Sequence, residues 1–281
     1  MNKNKKISVI IPVYNRKILV SRAIDSVLKQ TRTADEIIVV DDGSTDGTGE
    51  TLKHYGDRIR ILHEQNKGVS AARNRGIEAS NGDWIALLDS DDEWLPEKLL
   101  IQETWIKNNP EYRICQTEEI WIRNGKRVNP MNKHQKMHGD IFIPSLRMCL
   151  VSPSAVMFEK SLFVETGGFD ESLPVCEDYD LWLRISLNHP VGLISVPGIK
   201  KYGGHPDQLS RSVWGMDRYR VAALENLLNR NPDMPDEKRE SVLKELVYKL
   251  EILHKGSLKR EKSLNAWKNK LEKYNFILNN L

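Results

Sequence analysis

The sequence predicts an α/β fold whose mixed, mostly parallel sheet carries helices on both faces, followed by further helices at the C-terminal end. Three observations carry the prediction. Short unbroken apolar runs alternate with stretches of helical apolar spacing in the first hundred residues. The apolar runs are continuous rather than alternating, which marks strands covered on both sides. From Gly215 onward the chain shows only helical periodicity, so residues 215–281 read as an appendage to a unit spanning residues 1–214.

In order, Ile7–Ile11 reads as a buried strand, and residues 16–30 place Ile18, Leu19, Ala23, Ile24, Val27 and Leu28 at helical spacing. Glu36–Val40 is a second strand. Residues 42–47 have turn chemistry, and residues 48–55 form a short helix. Residues 58–62, 69–80 and 84–88 read as strand, helix and strand. Beyond Asn109, two strands over residues 112–123 and 126–129 flank Asn124-Gly125, a strong hairpin signal. A short strand (155–158), two helices (161–166 and 177–187) and a late strand (191–196) complete the first unit. The appendage has two apolar stripes: Leu243, Leu246, Leu250 and Leu253, then Leu264, Trp267, Leu271, Tyr274 and Leu278.

The 281 residues include 40% apolar and 29% charged side chains, an ordinary globular balance that excludes a disordered or collagen-like chain. A net charge of +3 gives no electrostatic case for nucleic-acid binding. The three cysteines, Cys115, Cys149 and Cys176, form no CxxC pair and read as reduced thiols of a cytoplasmic protein. The basic N-terminus precedes too short an apolar run for a signal peptide, and no stretch approaches the ~18 apolar residues of a membrane span. From Arg211 to Leu281 there are 15 Lys and Arg against 10 Asp and Glu. That region has three readings: packing on the core, which is the plainest, a dimer contact, or peripheral contact with an anionic membrane.

Parallel strands bring their carboxyl ends to one edge, where open α/β sheets bind ligands. Four strand ends carry unusual sequence here: Pro12-Val13-Tyr14-Asn15; Asp41-Asp42-Gly43-Ser44-Thr45-Asp46; Asn66-Lys67-Gly68 with the following Arg73-Asn74; and Asp89-Ser90-Asp91-Asp92. Asp89 and Asp91 suit Mg2+ or Mn2+, which prefer oxygen ligands and commonly bridge to phosphates; helix capping by Asp92 is the competing reading. Asp42 could accept the N3–H of uracil or thymine, although Asp-Gly-Ser-Thr-Asp is also good turn sequence. Lys67, Arg73 and Arg75 flank small residues and could pair with a diphosphate, or form a solvated basic face. GxxxxGK[ST] and GxGxxG fingerprints are absent, which removes the main support for a triphosphate hydrolase and a nicotinamide dehydrogenase. Farther along, Asp178 and Trp182 share a helix face, pairing a carboxylate with an aromatic platform suited to sugar, while Asp180 pairs with Arg184.

Taken together and in this order, these motifs, closing with Glu177-Asp178-x-Asp180-Leu181-Trp182, resemble the family 2 glycosyltransferases of the GT-A fold, a Rossmann-like nucleotide-diphospho-sugar transferase architecture, over about residues 5–210. The resemblance implies inverting, metal-assisted transfer of a sugar from a nucleotide-diphosphate donor, UDP-sugar favoured, to a hydroxyl of a saccharide or lipid-linked saccharide. It implies Pro12, Tyr14 and Asn15 around the nucleoside, Asp42 at the base, and Lys67, Arg73 and Asn74 near the ribose-diphosphate or donor sugar. It further implies Asp91 as principal Mg2+ or Mn2+ ligand, Asp89 near ribose or metal, Asp178 as catalytic base, Trp182 toward the acceptor, and His205 at the metal or diphosphate. Polysaccharide or glycolipid assembly at the inner face of a membrane is the implied setting. The competing reading is a catalytically inactive sugar-nucleotide-binding or scaffold protein on the same fold, which predicts degraded acidic motifs; here Asp42, Asp89, Asp91 and Asp178 are all present.

Overall fold

The computed structural model describes residues 5–129, 131–204, 215–258 and 264–281. Strand β1 (Ile7–Val13) is buried at every position. Its alternate residues serve two separate cores: Val9, Ile11 and Val13 point to one side of the sheet, Ile10 to the other. This explains the uninterrupted apolar run, because a strand sandwiched between helical layers has no solvent face.

Strands β1, β2 (Glu36–Asp41), β3 (Arg60–His63) and β4 (Trp84–Leu87) pair in parallel, in the spatial order β3-β2-β1-β4. On one face lie α1 (Val20–Leu28), α2 (Thr48–Lys53) and α4 (Lys98–Asn108), contributing Ala23, Ile24, Val27, Leu52 and Leu99. On the other lie α3 (Val69–Glu78), α6 (Lys160–Thr166) and α7 (Glu177–Ser186), contributing Ala72, Ile77, Leu162, Leu181, Trp182 and Ile185.

Past β4 the sheet becomes mixed. A two-residue strand, β5 (Glu93–Trp94), forms one edge, and β6 (Ile114–Arg123) turns back into β7 (Lys126–Val128). The hairpin sits where the sequence places it: Asn124 and Gly125 have φ of 50° and 74°, the left-handed pair that a tight turn between twisted strands needs. Strand β8 (Val156–Glu159) runs antiparallel to β4 and β6, and β9 (Gly192–Gly203) runs parallel to β6.

Three elements differ from the sequence reading. Helix α4 was foreseen only as a helix that Asp92 could cap, without bounds, and the short α5 (Phe142–Arg147) was not anticipated. The late strand runs to Gly203 instead of ending at residue 196. Pro197 and Gly198 read as a break, but β9 absorbs them by register shifts opposite Thr117 and Glu118. A side chain at 198 would stand 2.5 Å from Thr117 Oγ1, so glycine is what lets the two strands close there.

Helix α8 (Asp217–Arg230) packs on α7, α9 (Asp236–Leu258) packs on α5 and α8, and α10 (Leu264–Leu278) packs on α9. Val221, Leu224, Leu243, Leu246, Leu250 and Tyr274 share one apolar cluster with Phe142, Leu146, Tyr179 and Leu183. Helix α7 is thus held from two sides, by the sheet through Leu181 and Ile185 and by the C-terminal helices through Tyr179 and Leu183. Among the described residues, no helix is long and apolar enough to cross a membrane.

Candidate active site

The carboxyl ends of β1, β2 and β4 open onto a cleft of about 1110 Å3, closed on its far side by the start of α7 and the end of β9. Pro12, Tyr14, Asn15, Asp42, Lys67, Arg73, Asp89, Asp91 and Asp178 all line it, although Asp91 and Asp178 are 87 positions apart in the chain. Parallel pairing is the cause for the first group, and the double packing of α7 is the cause for Asp178.

Asn15, at φ 51°, braces the loop after β2: its N–H donates to Ser44 Oγ at 2.9 Å and its Oδ1 accepts from Thr45 N at 2.8 Å. Tyr14 stands nearly half exposed at the rim. Asp42 is buried, and its two carboxylate oxygens accept the N–H groups of Lys67 and Gly68, each at 2.8 Å. Burial pushes its carboxyl above the ordinary range despite these two bonds. The turn-and-cap reading of Asp42 is therefore realised, yet each carboxylate oxygen has a second lone pair for a ligand.

Two expectations change. Arg73 is 3% exposed, and both arms of its guanidinium are engaged: one donates to Glu177 Oε1 at 2.6 Å, the other to Asp89 Oδ1 at 2.7 Å. It ties α3 to the acidic loop and to the start of α7, rather than reaching out to a diphosphate. Asn74 is occupied too. Its Nδ2 donates to the Phe169 carbonyl and to Glu171 Oε1, while its Oδ1 accepts from Phe169 N at 2.9 Å. It pins the loop ahead of α7.

The acidic loop after β4 is organised by Ser154. Its hydroxyl accepts from Asp89 N at 3.1 Å and donates to Asp92 Oδ2 at 2.6 Å. Asp92 also accepts from Tyr202 N at 2.9 Å. It does not cap a helix; α4 has Glu97 at its N-cap without a side-chain bond. Burial, with Asp91 and Asp89 nearby, drives the Asp92 carboxyl well above its usual range, while Lys201 and the Ser154 hydroxyl oppose the shift. The Asp91 carbonyl accepts from Arg22, whose guanidinium lies 3.6 Å from the centroid of the Tyr202 ring.

At the opposite wall, Cys176 adopts φ 64° immediately before α7, an uncommon conformation for a side chain other than glycine and the kind of local strain that gathers at functional sites. Glu177 and Asp178 open the helix. Burial and the neighbouring Asp178 raise the Glu177 carboxyl to about 7, against the pull of Arg73. Asp178 is half-buried; its Oδ1 accepts from Tyr179 N at 2.7 Å, and its Oδ2 lies 3.7 Å from Cys149 Sγ. Asp180 pairs with Arg184 across one turn at 2.5 Å, as its spacing predicts.

Trp182 is corrected. It is 3% exposed and packs edge-on against Phe158 and Phe169, with centroids 5.8 and 6.2 Å away. A ring inside the core presents no face to an acceptor sugar. Helical spacing puts it on the side of Asp178, but the sheet claims that side one turn further in. His205 lies outside the described residues. Sequence reasoning missed Glu177 as an ion-pair partner, Ser154, Arg22 and Lys201. Lys201 was hidden because the last strand was expected to stop short of it.

The family model for glycosyl transferase family 2 matches residues 8–163, more than half of the chain. The chain belongs to this family. A curated relative from Escherichia coli, UDP-Glc:alpha-D-GlcNAc-diphosphoundecaprenol beta-1,3-glucosyltransferase WfgD, is 33% identical over 67% of this chain and 73% of its own length. An uncharacterized glycosyltransferase of Rickettsia bellii is 36% identical over 69% of this chain. The chain spans only 28% to 58% of the length of this relative and of its counterparts from four other Rickettsia species. Among solved structures, Staphylococcus aureus TarS residues 1–349 in complex with UDP-GlcNAc superposes with a TM-score of 0.75 at 19% identity, covering 96% of this chain and 80% of that one. The protein is a family 2 glycosyltransferase of GT-A fold.

Proposed function

We propose that this glycosyltransferase moves a hexosyl or N-acetylhexosaminyl group from a UDP-sugar to the hydroxyl of a saccharide or lipid-linked saccharide, with inversion, in polysaccharide or glycolipid assembly. The observation that carries the reading is the single cleft in which Asp42, Asp89 and Asp91 face Asp178. UDP-GlcNAc and UDP occupy TarS structures of the same fold, and WfgD uses a UDP-sugar by its name.

The acceptor hydroxyl is a poor nucleophile. In the proposed step its oxygen bonds to the anomeric carbon while its proton passes to the Asp178 carboxylate. The anomeric C–O bond breaks, and its electron pair leaves on the diphosphate. One displacement needs one base opposite the leaving group, not the carboxylate pair of a retaining hydrolase. Pro12, Tyr14 and Asn15 border the nucleoside, Asp42 meets the base, and Arg73 acts indirectly by holding Asp89 and Glu177 in place.

Among the described residues, no three His, Cys, Asp or Glu side chains form a closed metal cage. Asp91, a half-buried carboxylate beside Asp89 at the cleft, suits instead a hard cation that takes one or two carboxylates and completes its shell with water and substrate phosphate. Mg2+ or Mn2+ held by Asp91 and Asp89 would offset charge on the departing diphosphate.

The test is transfer by purified protein from a panel of UDP-, dTDP- and GDP-sugars with Mn2+. Asp178→Asn should lower kcat by roughly 10²–10⁴-fold, the usual worth of a positioned base, while leaving UDP affinity unchanged. Full activity in that variant removes Asp178 from the mechanism. The absence of nucleotide release from every donor refutes the reading.

A further inference from the structure

We propose that Lys201 is an ammonium group that meets the departing diphosphate, a contact for which sequence analysis named Lys67, Arg73 and Arg75. The inference rests on the donor reading given above and adds a residue that neither the motifs nor the family match contains; the matched segment ends at residue 163.

Lys201 lies near the end of β9 and lines the same cleft as Asp89, Asp91 and Asp178. Its side chain is about one-third exposed. Its root is fixed. Nζ donates to Ser152 Oγ at 3.1 Å, and Glu119 Oε2 stands 4.0 Å away. Glu119 does not depend on it for neutralisation, because the buried Lys136 already pairs with Glu119 Oε1 at 3.0 Å and donates to the Thr117 carbonyl at 2.9 Å. The positive charge of Lys201 is therefore not used up by Glu119, and the residue lines the cleft. Desolvation works against its charged form, yet Glu119, Asp92, Asp89 and Asp178 hold its pKa above the ordinary lysine range. The group is a permanent cation between the acidic loop and the proposed base. Arg73, another cation lining the cleft, has its two terminal nitrogens bonded to Glu177 and Asp89.

When the anomeric C–O bond breaks, the electron pair stays on the terminal phosphate of UDP. An N–H of Lys201 donating to that phosphate stabilises the charge as it forms and holds UDP afterwards, through a charge-assisted hydrogen bond. Uridine and its first phosphate lie beyond this contact. Lys201 thus distinguishes UDP from UMP.

Isothermal titration of UDP and UMP, in Mg2+-containing buffer, into the wild-type chain and into Lys201→Met, Lys201→Gln and Lys201→Arg tests this. Removing the charge should weaken UDP by about tenfold or more, the scale of one hydrogen bond to a charged group, and leave UMP within about twofold of wild type. Lys201→Arg should recover much of the loss. Lys201→Gln keeps a donor for Ser152 and serves if the methionine variant folds poorly, with the urea midpoint as the control on folding. Equal weakening of UDP and UMP would reveal a structural role and overturn the assignment, as would unchanged UDP affinity in Lys201→Met. If the wild-type chain bound no uridine nucleotide, the donor reading itself would fall; a ratio of UDP to UMP affinity unchanged in Lys201→Met and Lys201→Gln would sink Lys201 alone.

Discussion

Replacing Lys98 with methionine should stabilise the protein at pH 6 and do much less at pH 9. Lys98 lies in the first turn of α4 and is wholly buried. Its ammonium bonds to Gln102 Oε1 at 2.7 Å and stands 4.0 Å from the centroid of the Trp94 ring. Among the described residues no carboxylate pairs with it, and burial lowers its pKa from the ordinary 10.5 to about 7. A base whose folded-state pKa is depressed costs stability wherever the unfolded chain holds the proton more tightly. The penalty is complete below pH 7, shrinks as pH rises, and vanishes above 10.5.

At about 1.4 kcal/mol per pH unit, the penalty is roughly 5 kcal/mol at pH 6 and roughly 2 kcal/mol at pH 9. Methionine removes it and fills a similar volume. The substitution also leaves Gln102 Oε1 without its partner, at a cost of about 1–3 kcal/mol that does not vary with pH. The net stabilisation should be about 2–4 kcal/mol at pH 6 and near zero at pH 9. Urea unfolding of both proteins at the two pH values reads the difference. The pH-dependent part, roughly 3 kcal/mol, is independent of the Gln102 cost. Parallel stability curves for variant and wild type would refute the claim that this lysine loses its proton on folding. Transfer activity should hold, because Lys98 does not line the cleft and reaches it indirectly, through Trp94, whose indole N–H bonds to the Ser154 carbonyl at 2.8 Å, and through Gln102, which donates to the Ala155 carbonyl at 3.0 Å.

Two further outcomes follow from packing. Trp182→Ala should cost about 3–5 kcal/mol in urea unfolding, as removal of a buried aromatic does, while Trp182→Phe should leave the acceptor KM unchanged; a selective rise in that KM would return the ring to the acceptor site. Gly76→Ala would bring a methyl group to 2.5 Å from Ile10 Cγ2 and 3.0 Å from Val40 Cγ2, separating α3 from the sheet. Thermal unfolding should show a loss of about 1–3 kcal/mol, the usual cost of overpacking.

How much of this could be read in the sequence depends on the range of each signal. The parallel strands were legible because burial on both faces leaves a local trace, the unbroken runs of β1 and β2. Their strand-end residues followed from topology alone. The Asn124-Gly125 turn was legible because left-handed φ restricts residue choice within two positions. Helix α4 was obscure: its apolar residues do not gather on one face, since Lys98 and Gln102 are buried beside Leu99. Helix α5 is six residues long, too short for a period to register. The division of labour among cations was not legible at all. Arg73 and Lys67 lie six positions apart in similar surroundings, yet one is sealed between Glu177 and Asp89 and the other is exposed.

That division has a physical reason. Asp89 on the loop after β4 and Glu177 at the start of α7 approach each other only because the C-terminal helices press α7 against the sheet. Two carboxylates brought together away from water repel unless a cation lies between them. A guanidinium with two separate donor arms satisfies both at once, whereas an ammonium bonds as a point charge. Once Arg73 fills that role its charge is shared between two carboxylates. In the proposed reaction new negative charge would form on the diphosphate, and a second cation whose own partners are already satisfied would meet it. Lys201 meets that condition through Ser152 and the Glu119–Lys136 pair. The folding requirement and the chemical requirement are met by different residues, on elements distant in sequence, and the motif spacing of either one alone does not reveal the other.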